Sequence, residues 1–137
     1  MRLKLFLLAT TLLTPSALAT SYVMIHDDVL TDQAKLVLVG TVERVESNFS
    51  NPPYTRYHIR SERLLKGRLD AETVAVDVLG GLNPSGNRLV LFGNPSFAPR
   101  QRLILFLVPT GTGSQGILHV NLGAFQEEFI GNRRITA

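Results

Sequence analysis

Lys35-Leu-Val-Leu-Val-Gly-Thr-Val-Glu-Arg-Val-Glu46 is the stretch whose reading decides the fold. It is rich in β-branched residues, which fit a pleated and half-buried strand. Gly40 interrupts it in the middle. An interior strand glycine marks a bulge or a sharp bend, as at the corner of a small barrel. Upstream, His26 to Ala34 reads as one short helix, with Asp27 or Asp28 as its cap and Val29, Leu30 and Ala34 at helical spacing. Downstream, Ser47 to Pro53 is a polar turn. Tyr54 to Leu65 is a second strand, with Tyr57 and Ile59 facing one way and Arg56, His58, Arg60 and Glu62 the other. Lys66-Gly67 ends it.

Val74, Val76 and Val78 mark a third strand by strict alternation. A Gly/Asn/Pro loop then precedes a short strand from Arg88 to Phe92, and a second Pro/Gly loop runs from Gly93 to Arg100. Arg102 to Pro109 is nearly all apolar, the pattern of a central strand buried on both faces. After a turn at Gly111 to Gly116, the sequence predicts strands at Ile117 to Leu122 and Phe125 to Ile130. Residues 132–137 read as a loose polar tail. Many short strands without long intervening helices exclude a parallel α/β sheet. The expected architecture is mainly β: a five- or six-stranded antiparallel OB-like barrel with a short N-terminal helix, spanning residues 20–131.

The first residues carry a different signal. Met-Arg-Leu-Lys precedes an apolar run from Leu5 to Leu13 and an Ala17-Leu18-Ala19 cleavage site, the form of a secretory signal peptide over residues 1–19. The apolar run is shorter than the roughly 20 residues of a spanning helix. The expected location is periplasmic or secreted, with no membrane span. Removing 19 of the 137 residues leaves one domain's length. Arg2 and Lys4 leave with the signal, so 12 of the 14 basic residues face all 11 acidic ones, a net charge of +1 with His neutral. That balance gives no electrostatic footprint for nucleic acid. The chain has no cysteine. Disulfides, thiol catalysis, cysteine metal sites and cysteine-linked lipid anchoring are therefore excluded, and the apolar core must hold the fold.

Motifs for chemistry are weak. Gly111-Thr-Gly-Ser-Gln-Gly116 matches the glycine-rich dinucleotide pattern, but a strand rather than a helix follows it. His26-Asp27-Asp28 reads as helix-start chemistry better than as a metal corner. No serine sits in a nucleophile elbow, and the adjacent Glu127 and Glu128 point apart on a strand. Asn48-Phe49-Ser50 matches the N-glycosylation sequon. No catalytic, metal or cofactor residue is expected. Two candidate binding surfaces remain. Arg56, His58 and Arg60 align as a basic strand stripe beside Tyr54, a conceivable oligosaccharide or oligonucleotide face. The loops at 47–53, 80–87 and 93–100 offer Pro, Gly and small polar residues, and the last adds Phe97 and Arg100, residue types common among binding anchors.

The stretches VLVGTVERVES (Val37–Ser47), SERLLKG (Ser61–Gly67), FAPRQRLILFLVP (Phe97–Pro109) and LGAF (Leu122–Phe125) resemble a family of small bacterial exported domains of unknown role, sometimes found before matrixin-like metalloprotease domains. Arg100 stands where that pattern has glycine. The strand and Leu-Lys-Gly pattern is also similar, more weakly, to the netrin-like OB modules of tissue inhibitors of metalloproteinases. Those inhibitors chelate zinc through an N-terminal cysteine, which this chain lacks. The resemblance implies a non-catalytic, exported protein-binding module, inhibitor-like or propeptide-like, whose partner is another exported protein, with a metalloprotease as one candidate. The alternative is a carbohydrate- or nucleic-acid-binding barrel using the basic strand face. A hydrolase with a dispersed site is the third reading.

Cleavage is expected between Ala19 and Thr20. N-terminal sequencing of the exported protein checks this, and a chain that still begins at Met1 would overturn both the location and the domain limits.

Overall fold

The computed structural model describes residues 25–130 and 133–136, so the segment read as a signal peptide lies outside the described residues. Helix α1 (Asp27–Gln33) is capped by position rather than by a side chain. His26 is the N-cap residue and makes no side-chain cap bond, so neither Asp27 nor Asp28 is the cap that the sequence predicts. Both lie in the first turn, where the helix dipole favours carboxylates. The last turn carries no basic residue of its own; instead Lys66 Nζ donates to the Thr31 and Asp32 carbonyls, at 2.5 and 3.2 Å.

The strands are β1 (Leu36–Asn48), β2 (Tyr54–Lys66), β3 (Thr73–Leu79), β4 (Gly81–Leu82), β5 (Arg88–Leu89), β6 (Arg102–Pro109), β7 (Gln115–Ile117), β8 (Ala124–Ile130) and β9 (Arg133–Thr136). Five of them close a barrel in the order β1-β2-β3-β7-β6, with β6 returning to β1. The barrel is mixed rather than antiparallel throughout, because β3 and β7 run parallel. The reason is topological. A closed ring with an odd number of strands cannot alternate direction all the way round, so one pair must run the same way. That pair is also the thinnest seam, since β3 and β7 meet only at Val76 and Gln115.

β1 pairs with β2 through residues 37–48 and, through residues 36–41, with β6. To serve both neighbours it bends, and its register slips between Val39 and Gly40. A Cβ on Gly40 would lie 2.6 Å from the Arg60 carbonyl oxygen and 2.7 Å from Ile59 Cγ2, so only glycine fits. The inward alternation buries Leu36, Leu38 and Val42 with Tyr57 and Ile59, the three valines of β3, and Leu103, Leu105 and Leu107 of β6. The other face of β6 is also covered: Phe106 packs under Leu30, Ala34 and Val37, with Ile104 and Phe125 alongside.

Three segments differ from expectation. The region predicted as a strand from Ile117 to Leu122 is strand only to Ile117, and residues 118–123 turn. β7 pairs with Leu107–Pro109 and β8 with Leu103–Leu105, so the two are halves of one antiparallel partner for β6. Between them the chain loops outward around Phe106, whose N–H donates to the Gly123 carbonyl and whose carbonyl accepts from Leu118 N–H. The strand expected from Arg88 to Phe92 is only Arg88–Leu89, because its partner β4 offers only Gly81 and Leu82. Within the tail read as loose, Arg133–Thr136 forms β9 and pairs with β8.

Phe106 is 8 % exposed and meets Phe125 edge-to-face at 5.8 Å. Phe106→Ala should lower the stability measured by urea unfolding by about 3–4 kcal/mol; a loss below about 1 kcal/mol would place the ring outside a packed layer.

Candidate functional site

The charged face of β2 is a cross-strand ladder. Arg56 forks onto Asp77 of β3 with bonds of 2.7 and 2.8 Å and lies over the Tyr54 ring, 5.4 Å from its centroid. Hydrogen bonding to Asp77 raises the Arg56 guanidinium above its ordinary value. Burial pulls the Asp77 carboxyl upward, but the bonds from Arg56 and Ser114 outweigh it and hold Asp77 below the ordinary carboxylate range. His58 Nε2 meets Glu46 at 2.8 Å, and Arg44 closes on the same carboxylate at 2.6 Å. The His58 bond lowers the Glu46 carboxyl. Arg60 lies 3.5 Å from Glu43. Further along, Arg102 bridges Glu62 and Glu127 at 2.7 Å each, and hydrogen bonds from Thr41 and then Arg102 lower the Glu62 carboxyl. Arg56, His58 and Arg60 thus share one face as the sequence reading places them, but each already has a carboxylate partner.

The two loop candidates separate. Phe97 is 6 % exposed and packs edge-to-face on Tyr57, 5.1 Å between centroids. It belongs to the main core cluster and also borders an open hollow of about 500 Å³ with Asn94, Pro95, Asn121, Ala124 and Gln126. Arg100 is exposed and takes a left-handed φ of 71°, while its N–H donates to the Val42 carbonyl at 2.7 Å. The turn keeps the conformation that glycine would favour even though arginine occupies it.

A third region emerges only in three dimensions. Past the Val76–Gln115 contact, β3 and β7 part, and a hollow of about 250 Å³ opens between them. Val78 and Leu79 form one wall, Ile117 and Val120 the other, and Leu91 and Pro95 bridge the loop side. The Asn94 side chain donates to the Leu79 carbonyl and ties that loop to β3. Beside the hollow the loop leaves its short strand, so Val90 is 71 % exposed and Phe92 is fully exposed. Leu79, Leu82 and Val120 are exposed as well. Val120 has φ 61°, a strained conformation for a β-branched residue.

Several polar side chains near the hollow are occupied, whereas Gln115 Oε1, buried at the seam, has no hydrogen-bond partner among the described residues. Ser114, which is buried, donates to Asp77 across the seam at 2.7 Å and also contacts the Thr110 and Thr112 hydroxyls. The glycine-rich run at 111–116 enters strand β7, not a helix, so it has no phosphate-binding helix start. Sequence reasoning misses residues 90–92 because it places them in the strand expected from Arg88 to Phe92. Two signals are present: four consecutive apolar residues, Leu89 to Phe92, and the absence of any Asp or Glu between Asp77 and Glu127.

No protein-family model matches the chain, and no curated protein matches it.

Arg56→Met should cost about 1–3 kcal/mol, because it strands a largely buried carboxylate; Arg60→Met, at an exposed pair, should change stability by less than about 0.5 kcal/mol. The native Glu46, Glu62 and Asp77 carboxyls are all lowered. Their contribution is present above the unfolded-state value and is lost as pH falls through the lower folded-state values. Urea midpoints should therefore be level down to about pH 5 and decline below it. Equal losses from the two arginine substitutions would contradict the ladder's geometry.

Proposed function

We propose that this protein is an exported, non-catalytic protein-binding module with an OB-like barrel, which recognises another exported protein through residues 90–92 and the hollow beneath them. The strand order, with its third and last barrel strands parallel, supports the OB-like reading. The basic, apolar and small-residue leader supports export. The observation that carries the function is the apolar rim at one end of the barrel: Val90, Phe92, Leu79 and Val120 stand exposed around an apolar hollow. Clustered exposed apolar side chains on a rigid scaffold mark an interaction surface.

The strand-face alternative has less support. A phosphate or acidic sugar approaching Arg56, His58 or Arg60 would have to displace Asp77, Glu46 or Glu43. A metalloprotease remains the partner that the sequence resemblance suggests. Without cysteine, an inhibitory contact would work through loop insertion instead of zinc chelation by a disulfide-anchored N-terminal cysteine.

The double substitution Val90→Ser with Phe92→Ser removes exposed apolar surface and should leave stability within about 0.5 kcal/mol of the parent. It should abolish retention of the partner from an extract of exported proteins. Retention that survives this change but is lost on Arg60→Met would transfer the site to the strand face.

A further inference from the structure

Resting on that protein-binding reading, we infer that the hollow between β3 and β7 takes an extended peptide segment of the partner, in which an apolar side chain is flanked by a carboxylate. Three features of this end of the barrel specify that chemistry.

The first is shape. The two walls are parallel strands that pair at one residue and then separate, leaving the segment from Asp77 to Leu79 with no ladder toward β7, although the Asn94 side chain already donates to the Leu79 carbonyl. An extended chain fits beside such an edge, and its side chains then alternate into and out of the hollow. About 250 Å³ lined by Val78, Leu79, Leu91, Ile117 and Val120 suits a single apolar side chain.

The second is charge. Asp77 borders the hollow, but its oxygens are held by Arg56 and Ser114, so it is already neutralised. Arg88 lines a second hollow, which shares Val78, Leu79, Leu91, Asn94 and Pro95 with the first. Among the described residues it has neither a carboxylate nor a hydrogen-bond partner, unlike the arginines of the strand face. No Asp or Glu occurs anywhere between Asp77 and Glu127, the stretch that supplies the loops of this rim. The rim therefore attracts a carboxylate and repels a basic segment.

The third is strain. Val120 holds a β-branched side chain at positive φ on the wall of the hollow. Glycine would relax that backbone but remove the side chain from the wall. Local strain and wall contact are thus coupled at one residue, and one substitution separates them.

The test uses the purified protein and fluorescein-labelled octapeptides. The first is Gly-Ser-Asp-Leu-Phe-Glu-Ser-Gly. A basic twin has Lys in place of both acids, and a polar twin has Ser in place of Leu and Phe. The acidic apolar peptide should bind about three- to five-fold more tightly than the basic twin at low salt, as expected for an exposed rim charge. The polar twin should not bind. Backbone amide shifts should concentrate at Leu79, Leu91 and Val120. Arg88→Glu should reverse the preference between the acidic and basic peptides. Val120→Gly should weaken binding without lowering the urea midpoint, an outcome that a merely structural role would not give.

Equal affinity for the acidic and basic peptides, shifts centred on Arg56 and Arg60, or no binding at all would overturn the proposal. A dimer in sedimentation equilibrium that is lost on Phe92→Ser would also overturn it, by making a second copy of the chain the occupant. Peptide failure with partner retention still dependent on Phe92 would remove only the ligand chemistry. Failure of both would remove the protein-binding reading as well.

Discussion

Everything distinctive about this barrel follows from its odd strand number. Four junctions around the ring are antiparallel, and the fifth, between β3 and β7, has to be parallel. Parallel neighbours cannot be joined by a tight hairpin, and here they share one residue pair. The seam is reinforced by side chains instead. Ser114 reaches across it to Asp77, and Arg56 holds the same carboxylate from β2. One carboxylate thus links β2, β3 and the turn before β7, at the point where backbone pairing is thinnest.

That arrangement gives the charges of the strand face a structural meaning. On an open sheet, Arg56, His58 and Arg60 would form a basic stripe. In the closed barrel each finds an acid on a flanking strand. The Asp77 pair is shielded enough to matter for stability, whereas the Arg60 pair is exposed and screened by water. The face is therefore polar without carrying a strong field, and its cations are already engaged.

The seam also opens a region where apolar side chains face solvent around a hollow. β3 and β7 diverge because neither has further backbone partners on that side, and the loop bridging the gap cannot extend β5 past Leu89. Val90 and Phe92 are consequently released to the surface, while Leu91 turns toward the hollow. Rigid walls from β3 and β7 beneath a loop rich in exposed apolar residues give the proposed recognition surface its two requirements, a fixed frame and accessible contact area.

The sequence by itself determined the strands whose evidence is local. Alternation in Val74, Val76 and Val78, the two-sided apolar run of β6, the inward Tyr57 and Ile59, and the bend at Gly40 all follow from the period of a pleated strand and from the space that a missing Cβ leaves. Tertiary structure alone decided what each side chain meets. It buried Phe97 against Tyr57, paired Arg56 with Asp77, split the partner of β6 into β7 and β8, stopped β5 after two residues and made the seam parallel. Alternation is a property of one strand, but partner, register and ring closure depend on elements far away in the chain, and the candidate site lies where closure is least complete.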